Sequence, residues 1–400
     1  MKGSMQPLAA LCALAPDQAE ALGLRHTPRE IVQQPRLWLD TLDRVRRDRD
    51  VPGFLQSAGL GTASPPEVVL IGAGSSDFVA QLVAPAFRAR FQTPAQALAS
   101  TDLLTQTASL LHAKRRYLFV WFSRSGTTAE AVELLGRLER EMESAHHLFI
   151  TCNAASVFAR RPPSARSRCL ILDDAACDRG LAMTSSFTSM ALAGLLLASG
   201  ATEASSVAVA DLARAAERLF DHVGPALSHL AQRGNTSACF LGSGALKVAA
   251  GESALKLLEL TAGRVKTRFD SFLGVRHGPL ASLDQDTTLV GFLSRSPAER
   301  LVELELVREV QDKALCGAVA LVSPEPEPSA GELSDYVIDL ELPSRLSDAF
   351  RPLLDVVVGQ LLALWSALAR GVRPDTPSPN GAIQRVVTRI RPAAAGERSP

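Results

Sequence analysis

Between Leu241 and Pro279 the chain reads LGSGALKVAAGESALKLLELTAGRVKTRFDSFLGVRHGP, in which Glu252, Lys256 and Glu259 are spaced i, i+4, i+7. At 3.6 residues per turn that spacing puts all three on one narrow stripe of a helix. The other faces carry Ala254, Leu255, Leu257, Leu258 and Leu260. A charged stripe on a helix that is apolar nearly all round is hard to place on an open surface, so the stripe is expected to line a polar cleft. Carboxylates beside an ammonium can move a proton and steady the negative charge that develops when it leaves carbon. The same spacing also suits an ordinary solvated Glu252–Lys256 pair contributing a few tenths of a kcal/mol. Arg276-His277-Gly278-Pro279 favours chemistry, because a histidine held between a Gly-Pro turn and a polar loop projects rather than packs.

A second polar stretch, Ser123-Arg124-Ser125-Gly126-Thr127-Thr128, opens the helical pattern AEAVELL after the apolar run YLFVWFS. Hydroxyls and unpaired amides at a helix N-terminus favour a phosphate. No GxxxxGK[ST] is present to reach a β/γ-phosphate, so a phosphate monoester fits better than a nucleotide. A plain N-capped helix start would use the same residue types. Gly74-Ser75-Ser76 and Met183-Thr184-Ser185-Ser186-Phe187-Thr188 are further polar turns expected to converge on the same crevice.

Short apolar runs alternating with helical patterns position these stretches: VVLIGAG (68–74), a weak strand near Ala95 to Ser100, YLFVWFS (117–123), HLFITC (147–152) and RCLILD (168–173). Their pattern is that of a parallel sheet covered on both faces. The chain then repeats itself. Gly72 in LIGAG matches Gly242 in FLGSG, Ser123 in FSRSG matches Ser294 in LSRSP, and HLFITC matches AVALVS, all at a nearly constant offset. Two tandem copies of one α/β domain are therefore expected, with second-copy strands near 237–242, 265–270, 288–294, 316–323 and 336–342. Pro297 stands in the second copy where the first has Gly126. Proline lacks an N–H and cannot adopt positive φ, so only the first copy is expected to close a nest of amides around an anion.

The 400 residues are 46% hydrophobic and 21% charged, a globular composition long enough for two to three domains. Lys plus Arg and Asp plus Glu are equal at 42 each, so nucleic acid is not an expected partner. Six scattered cysteines show no CxxC, and no metal site is visible. Lys2 followed by PLAALCALA loosely resembles a secretory signal, but Pro7 interrupts the run and a short amphipathic helix is expected. HTPREI reads as a capping box from Thr27 to Glu30. LLDVVVGQLLALWSALA (353–369) contains Asp355 and Gln360 and reads as a buried helix rather than a membrane span.

GAGSS, FSRSGTTAE, MTSSFT and ESALKLLELTAG with RHGP, in this order over about residues 50 to 390, resemble double sugar isomerase (SIS) domain proteins. The nearest resemblance is to the bacterial tagatose-6-phosphate ketose/aldose isomerase family, also described as galactosamine-6-phosphate deaminase/isomerase. The isomerase half of glucosamine-6-phosphate synthase is more distant. The resemblance implies two tandem flavodoxin-like domains, each a doubly wound parallel sheet. The organisation expected is a helical segment over 1–50, SIS domains over 51–215 and 216–370, and a tail over 371–400 that contributes to the site. It also implies Ser75, Ser76, Ser123, Arg124, Ser125, Thr128, Ser185 and Arg385 as phosphate and sugar contacts. Glu259 would be the proton-shuttling base, Glu252 and Lys256 its supports, and His277 the ring-opening residue.

Two departures bear on the chemistry. The synthase places a catalytic lysine in its C-terminal tail, whereas DTPSPNGAIQRVV offers Arg385, which stays protonated and does not readily form a Schiff base. No glutamine-hydrolysing domain is present, so synthesis from glutamine is not expected. The reaction expected is conversion of an amino-hexose 6-phosphate, with galactosamine 6-phosphate favoured, to tagatose 6-phosphate and ammonia. No cofactor, metal or membrane is expected, and the enzyme should be a cytoplasmic homodimer completing its site with His277 of the neighbouring subunit. The competing readings are a plain aldose/ketose isomerase, a glucosamine-6-phosphate deaminase and a non-catalytic sugar-phosphate regulator. Against the regulator, the first 66 residues are not basic and Glu259 is present.

Overall fold

The structure is a computed structural model that describes residues 7–378 and 380–388. Short helices from Leu8 to Ser57 come first, the last of them, Asp50–Ser57, crossing the boundary expected at 50/51. Of the leader-like stretch, Lys2 lies outside the described residues, and Leu8–Cys12 is a short helix burying Leu8 and Leu11.

Strands β1 (Glu67–Gly72), β2 (Ala95–Ala99), β3 (Tyr117–Ser123), β4 (His146–Thr151) and β5 (Ser167–Ile171) form a parallel sheet in the order β2-β1-β3-β4-β5. A second parallel sheet holds β6 (Ser237–Gly242), β7 (Lys266–Asp270), β8 (Thr287–Phe292), β9 (Ala318–Ser323) and β10 (Tyr336–Asp339), in the order β10-β9-β8-β6-β7. Read from its other edge, that order repeats the first. The runs expected as strands are strands because both faces are covered: Val68, Val69, Leu70 and Ile71 are all buried. Gly72 and Gly242 occupy equivalent strand ends, where an added Cβ would meet the following helix at 2.2 Å and 2.3 Å, so the tight strand-to-helix approach requires glycine in both copies.

The junction expected at 215/216 falls inside the helix Glu203–His222. No glycine or proline interrupts that pattern before Gly224-Pro225. The two halves share one apolar core, to which the helices Ser75–Phe91, Ser185–Ser199, Ala245–Leu260 and Pro352–Ala369 all contribute. Pro352–Ala369 is long and apolar enough to cross a membrane, with mean hydropathy 1.7, but 89% of it is buried against these neighbours.

The Thr27 capping box does not form. Thr27 is already inside the helix Thr27–Val32, whose first amides are capped from the far end of the chain. Asp375 accepts from the N–H of His26 (3.0 Å) and of Thr27 (2.7 Å). A charged acceptor from the tail displaces the local cap, and Glu30 turns away to other partners.

Candidate active site

Ligands in such sheets collect beyond the strand C-termini where the strand order reverses, here between β1 and β3. A cavity of about 840 Å³ lies there, lined by Gly72–Ser76, Ser123–Ser125, Thr128, Leu181, Met183, Glu259 and the tail segment 381–388. Gly126, at φ +58°, makes the turn out of β3, and a Cβ on it would strike Ser156 at 2.4 Å. The Ser123 hydroxyl accepts from the N–H of Gly126 (3.0 Å) and the Ser125 hydroxyl from that of Thr127 (3.3 Å), so the loop is organised before any ligand arrives. The helix Ala129–Glu141 follows, and its Ala129 N–H donates to the tail carbonyl of Val387 at 3.1 Å.

The charged stripe belongs to the helix Ala245–Leu260, which lies between the second sheet and the helix Ser75–Phe91 of the first half. Only Glu259 reaches the cavity, its side chain 23% exposed, whereas Glu252 and Lys256 are wholly buried beneath it. The expected cleft is therefore lined by one of the three charges, because the Ser75 helix covers the other two. Lys256 Nζ donates to Ser75 Oγ at 2.9 Å and to Glu259 Oε2 at 2.5 Å, and it lies 3.5 Å from Glu252 Oε1. Burial pushes the Glu252 carboxyl up to about 8, with Lys256 pulling the other way. For Lys256 burial works against the charge, but Glu252 and Glu259 outweigh it and hold its proton affinity above the ordinary value. Near neutrality the helix thus carries a protonated Glu252 beneath a Lys256 ammonium that faces Glu259.

Three expected contacts are placed differently. Arg124 lines the cavity but is only 6% exposed, and its guanidinium donates to the carbonyls of Leu181 (3.1 Å) and Arg385 (2.7 Å). Arg385 also lines the cavity, while its guanidinium is turned to the Asp178 carbonyl (2.9 Å from Nε) and to Cys177 Sγ (3.7 Å). Ser185 is fully buried outside the cavity and donates to the Glu30 carbonyl at 2.5 Å. The MTSSFT turn does not offer its amides to a ligand, because Asp178 accepts from the N–H groups of Thr184, Ser185 and Ser186 at 2.8 to 2.9 Å. Of that turn, Met183 lines the cavity. His277 is exposed between two short 3₁₀ turns and lies outside the cavity of its own chain.

In the second half the equivalent loop is occupied by the protein's own acids. Glu303 accepts from the N–H of Ser294 (2.7 Å) and the hydroxyl of Ser243 (2.6 Å), and Asp348 accepts from the N–H of Arg295 (2.9 Å). Pro297 merely opens the helix Pro297–Asp312 after a Ser296 cap. Internal carboxylates on the loop amides, more than the proline, are what distinguish the second copy.

The tail was expected to contribute to the site through Arg385; that its backbone over 381–388 forms a wall was not legible, since a carbonyl such as that of Val387 leaves no trace in residue type. Sequence reasoning also missed the roles of Glu30 and Asp375, whose partners are remote in sequence, and of Asp178, which holds Thr184–Ser186 a few residues on.

The SIS domain family profile matches residues 63–200. A Streptomyces coelicolor protein provisionally named D-galactosamine-6-phosphate deaminase AgaS is 39% identical over 90% of this chain and 94% of its own length. D-Galactosamine-6-phosphate deaminase AgaS of Escherichia coli is 32% identical over 90% of this chain and 94% of its own. Among solved structures, tagatose-6-phosphate ketose/aldose isomerase from Escherichia coli superposes with a TM-score of 0.81 at 30% identity, covering 88% of this chain and 95% of that one.

Proposed function

The chain belongs to the SIS-domain family of sugar-phosphate isomerases and deaminases and is an enzyme of that kind; from that premise we propose that it converts galactosamine 6-phosphate to tagatose 6-phosphate and ammonia. The observation that carries the proposal is that one cavity joins a hydroxyl-rich helix start of the first half to Glu259 of the second. Ser123, Ser125 and Thr128, with Ser75 and Ser76, hold the phosphate at that helix start. The sugar extends from it toward Glu259. The ring opens when a histidine moves a proton between the ring oxygen and O1. Glu259 takes the proton from C2 and returns it to C1, while the buried Lys256 ammonium holds the Glu259 carboxylate in place from beneath. One amine proton passes to O1 in the same exchange, leaving a hydroxyl on C1 and an imine at C2, which water hydrolyses to the ketone with loss of ammonia. Arg385 takes no part in a Schiff base, consistent with its guanidinium being held by the Asp178 carbonyl.

The histidine is His277 of a neighbouring subunit in a homodimer. Supporting this, His277 is exposed and does not line its own cavity, and Phe269 and Leu273, on the same β7-to-His277 stretch, are 40% and 51% exposed. A phosphorylated substrate, which does not cross a bilayer unaided, supports a cytoplasmic reaction. The decisive assay measures ammonia and ketose formation from galactosamine 6-phosphate and glucosamine 6-phosphate. Faster turnover of the galacto sugar is expected, and ketose without ammonia from a plain aldose phosphate alone would replace deamination with simple isomerisation.

A further inference from the structure

Loop 178–183 gives the cavity two wall residues, Leu181 and Met183, and its backbone is gripped from distant parts of the chain. From the N-terminal segment, Glu30 accepts from the N–H of Arg179 (2.5 Å) and of Gly180 (3.3 Å). From the root of the tail, the Asp375 carbonyl accepts from the N–H of Leu181 at 3.2 Å. The loop's own Asp178 is turned inward onto the start of the helix Ser185–Ser199. On its cavity side, the carbonyls of Gly180 (3.5 Å) and Leu181 (3.1 Å) receive the Arg124 guanidinium. Arg124 stands between Ser123 and Ser125, so what fixes its guanidinium also fixes the loop that carries those hydroxyls.

The three carboxylates are not arranged as ligands of a cation. Every oxygen of Glu30, Asp178 and Asp375 already accepts from an N–H or O–H group. Among the described residues no group of His, Cys, Asp or Glu is placed to hold a metal ion. Their side chains hold different stretches of backbone, Asp375 at His26 and Thr27 and Asp178 at Thr184–Ser186; Glu30 is the one whose carboxylate holds loop 178–183 itself, at the Arg179 and Gly180 amides next to the carbonyls that receive Arg124. Glu30 is 6% exposed and lies outside the residues matched by the SIS profile.

We infer that Glu30 is a positioning residue for the phosphate loop, acting through the Arg179 and Gly180 amides and the Arg124 guanidinium; this rests on the reading that Ser123–Thr128 holds the phosphate. A side chain that only stabilised the fold would lower the melting temperature and leave substrate affinity alone. A positioning residue changes KM and leaves the chemical step intact, since Glu259 and Lys256 lie on a different helix.

The test compares the full-length wild type with Glu30→Ala and Glu30→Gln. Losing the acceptor in Glu30→Ala should raise KM for galactosamine 6-phosphate about tenfold, with kcat little changed. Glu30→Gln, which keeps an acceptor oxygen for the Arg179 amide, should restore most of that loss. Hydrogen exchange without substrate should quicken in Glu30→Ala at Arg179–Leu181 and also at Ser123–Thr128. Faster exchange confined to Arg179–Leu181, an unchanged KM, or a Gln variant as impaired as the Ala variant would overturn the inference. Should the wild type prove inactive on amino-hexose 6-phosphates, the functional reading fails, while the exchange contrast still decides the role of Glu30.

Discussion

A carboxylate that takes a proton from carbon and returns it must meet its substrate, and on the Ala245–Leu260 helix only Glu259 meets the cavity. Glu259→Gln is therefore expected to bind substrate with KM nearly unchanged and to lose roughly a hundredfold to ten-thousandfold in kcat. Turnover equal to wild type would remove Glu259 as the base. Glu252 has a different signature. Its folded-state pKa, about 8, lies above the ordinary carboxylate value, so the folded chain keeps a proton that the unfolded chain releases. The sign follows: this residue costs nothing below the unfolded value, and stability falls as pH rises from about 5 toward 8. Glu30, raised to about 8 chiefly by burial, and Asp355, raised to about 6, act in the same direction. Melting curves across that range should decline less steeply for Glu252→Gln than for wild type, and an identical slope would refute the assignment. The i, i+4, i+7 stripe was legible because helical periodicity is local. The depth of Glu252 and Lys256 was not, because the cover comes from a helix some 180 residues away, at Ser75.

A helix start whose amides are held by carboxylates is closed to a phosphate by charge. In the second copy Glu303 and Asp348 hold the amides of Ser294 and Arg295, whereas the first copy's acceptors are its own Ser123 and Ser125 hydroxyls and the Val387 carbonyl, all uncharged. Burial raises the proton affinity of Glu303, yet it keeps the Ser243 and Ser294 donors. A crystal grown with sulfate or a hexose 6-phosphate should show the anion at Ser123–Thr128 and none at the second loop; density held by Ser294 and Ser296 would overturn this. Ser125→Ala with Thr128→Ala should weaken substrate binding on the order of tenfold or more, through loss of two hydroxyl contacts. At this scale the strands and the repeat were legible, because short apolar runs between helical patterns report a parallel sheet whatever the rest of the chain does. The boundary expected at 215/216 lies inside the continuous helix Glu203–His222, where the helical pattern offers no local break. The Thr27 cap failed for a related reason, since Asp375 arrives from more than 340 residues away to take its place.

For the molecule as a whole, the cavity draws the Ser123–Thr128 loop from the first half, Glu259 from the second and part of its wall from the tail, so no half alone carries it. The proposed ring-opening histidine is not among the residues that line it. His277 is exposed and outside the cavity, while the neighbouring Phe269 and Leu273 present apolar surface of the kind a second copy would cover. A two-fold contact through that surface brings the same loop to both cavities, so each working site would combine Glu259 of one subunit with His277 of the other. Glu259→Gln and His277→Ala proteins should each be inactive as homodimers. In their heterodimer one cavity receives both defects, and the other pairs an intact Glu259 with an intact His277. Mixing the two variants in equal amounts, with subunit exchange shown independently, should yield half the dimers as heterodimers with one working site each, and thus about a quarter of wild-type activity per total site. A His277 folded back over its own Glu259 predicts no recovery, because every chain would then carry its own defect. Full exchange without recovered activity would sink the shared site.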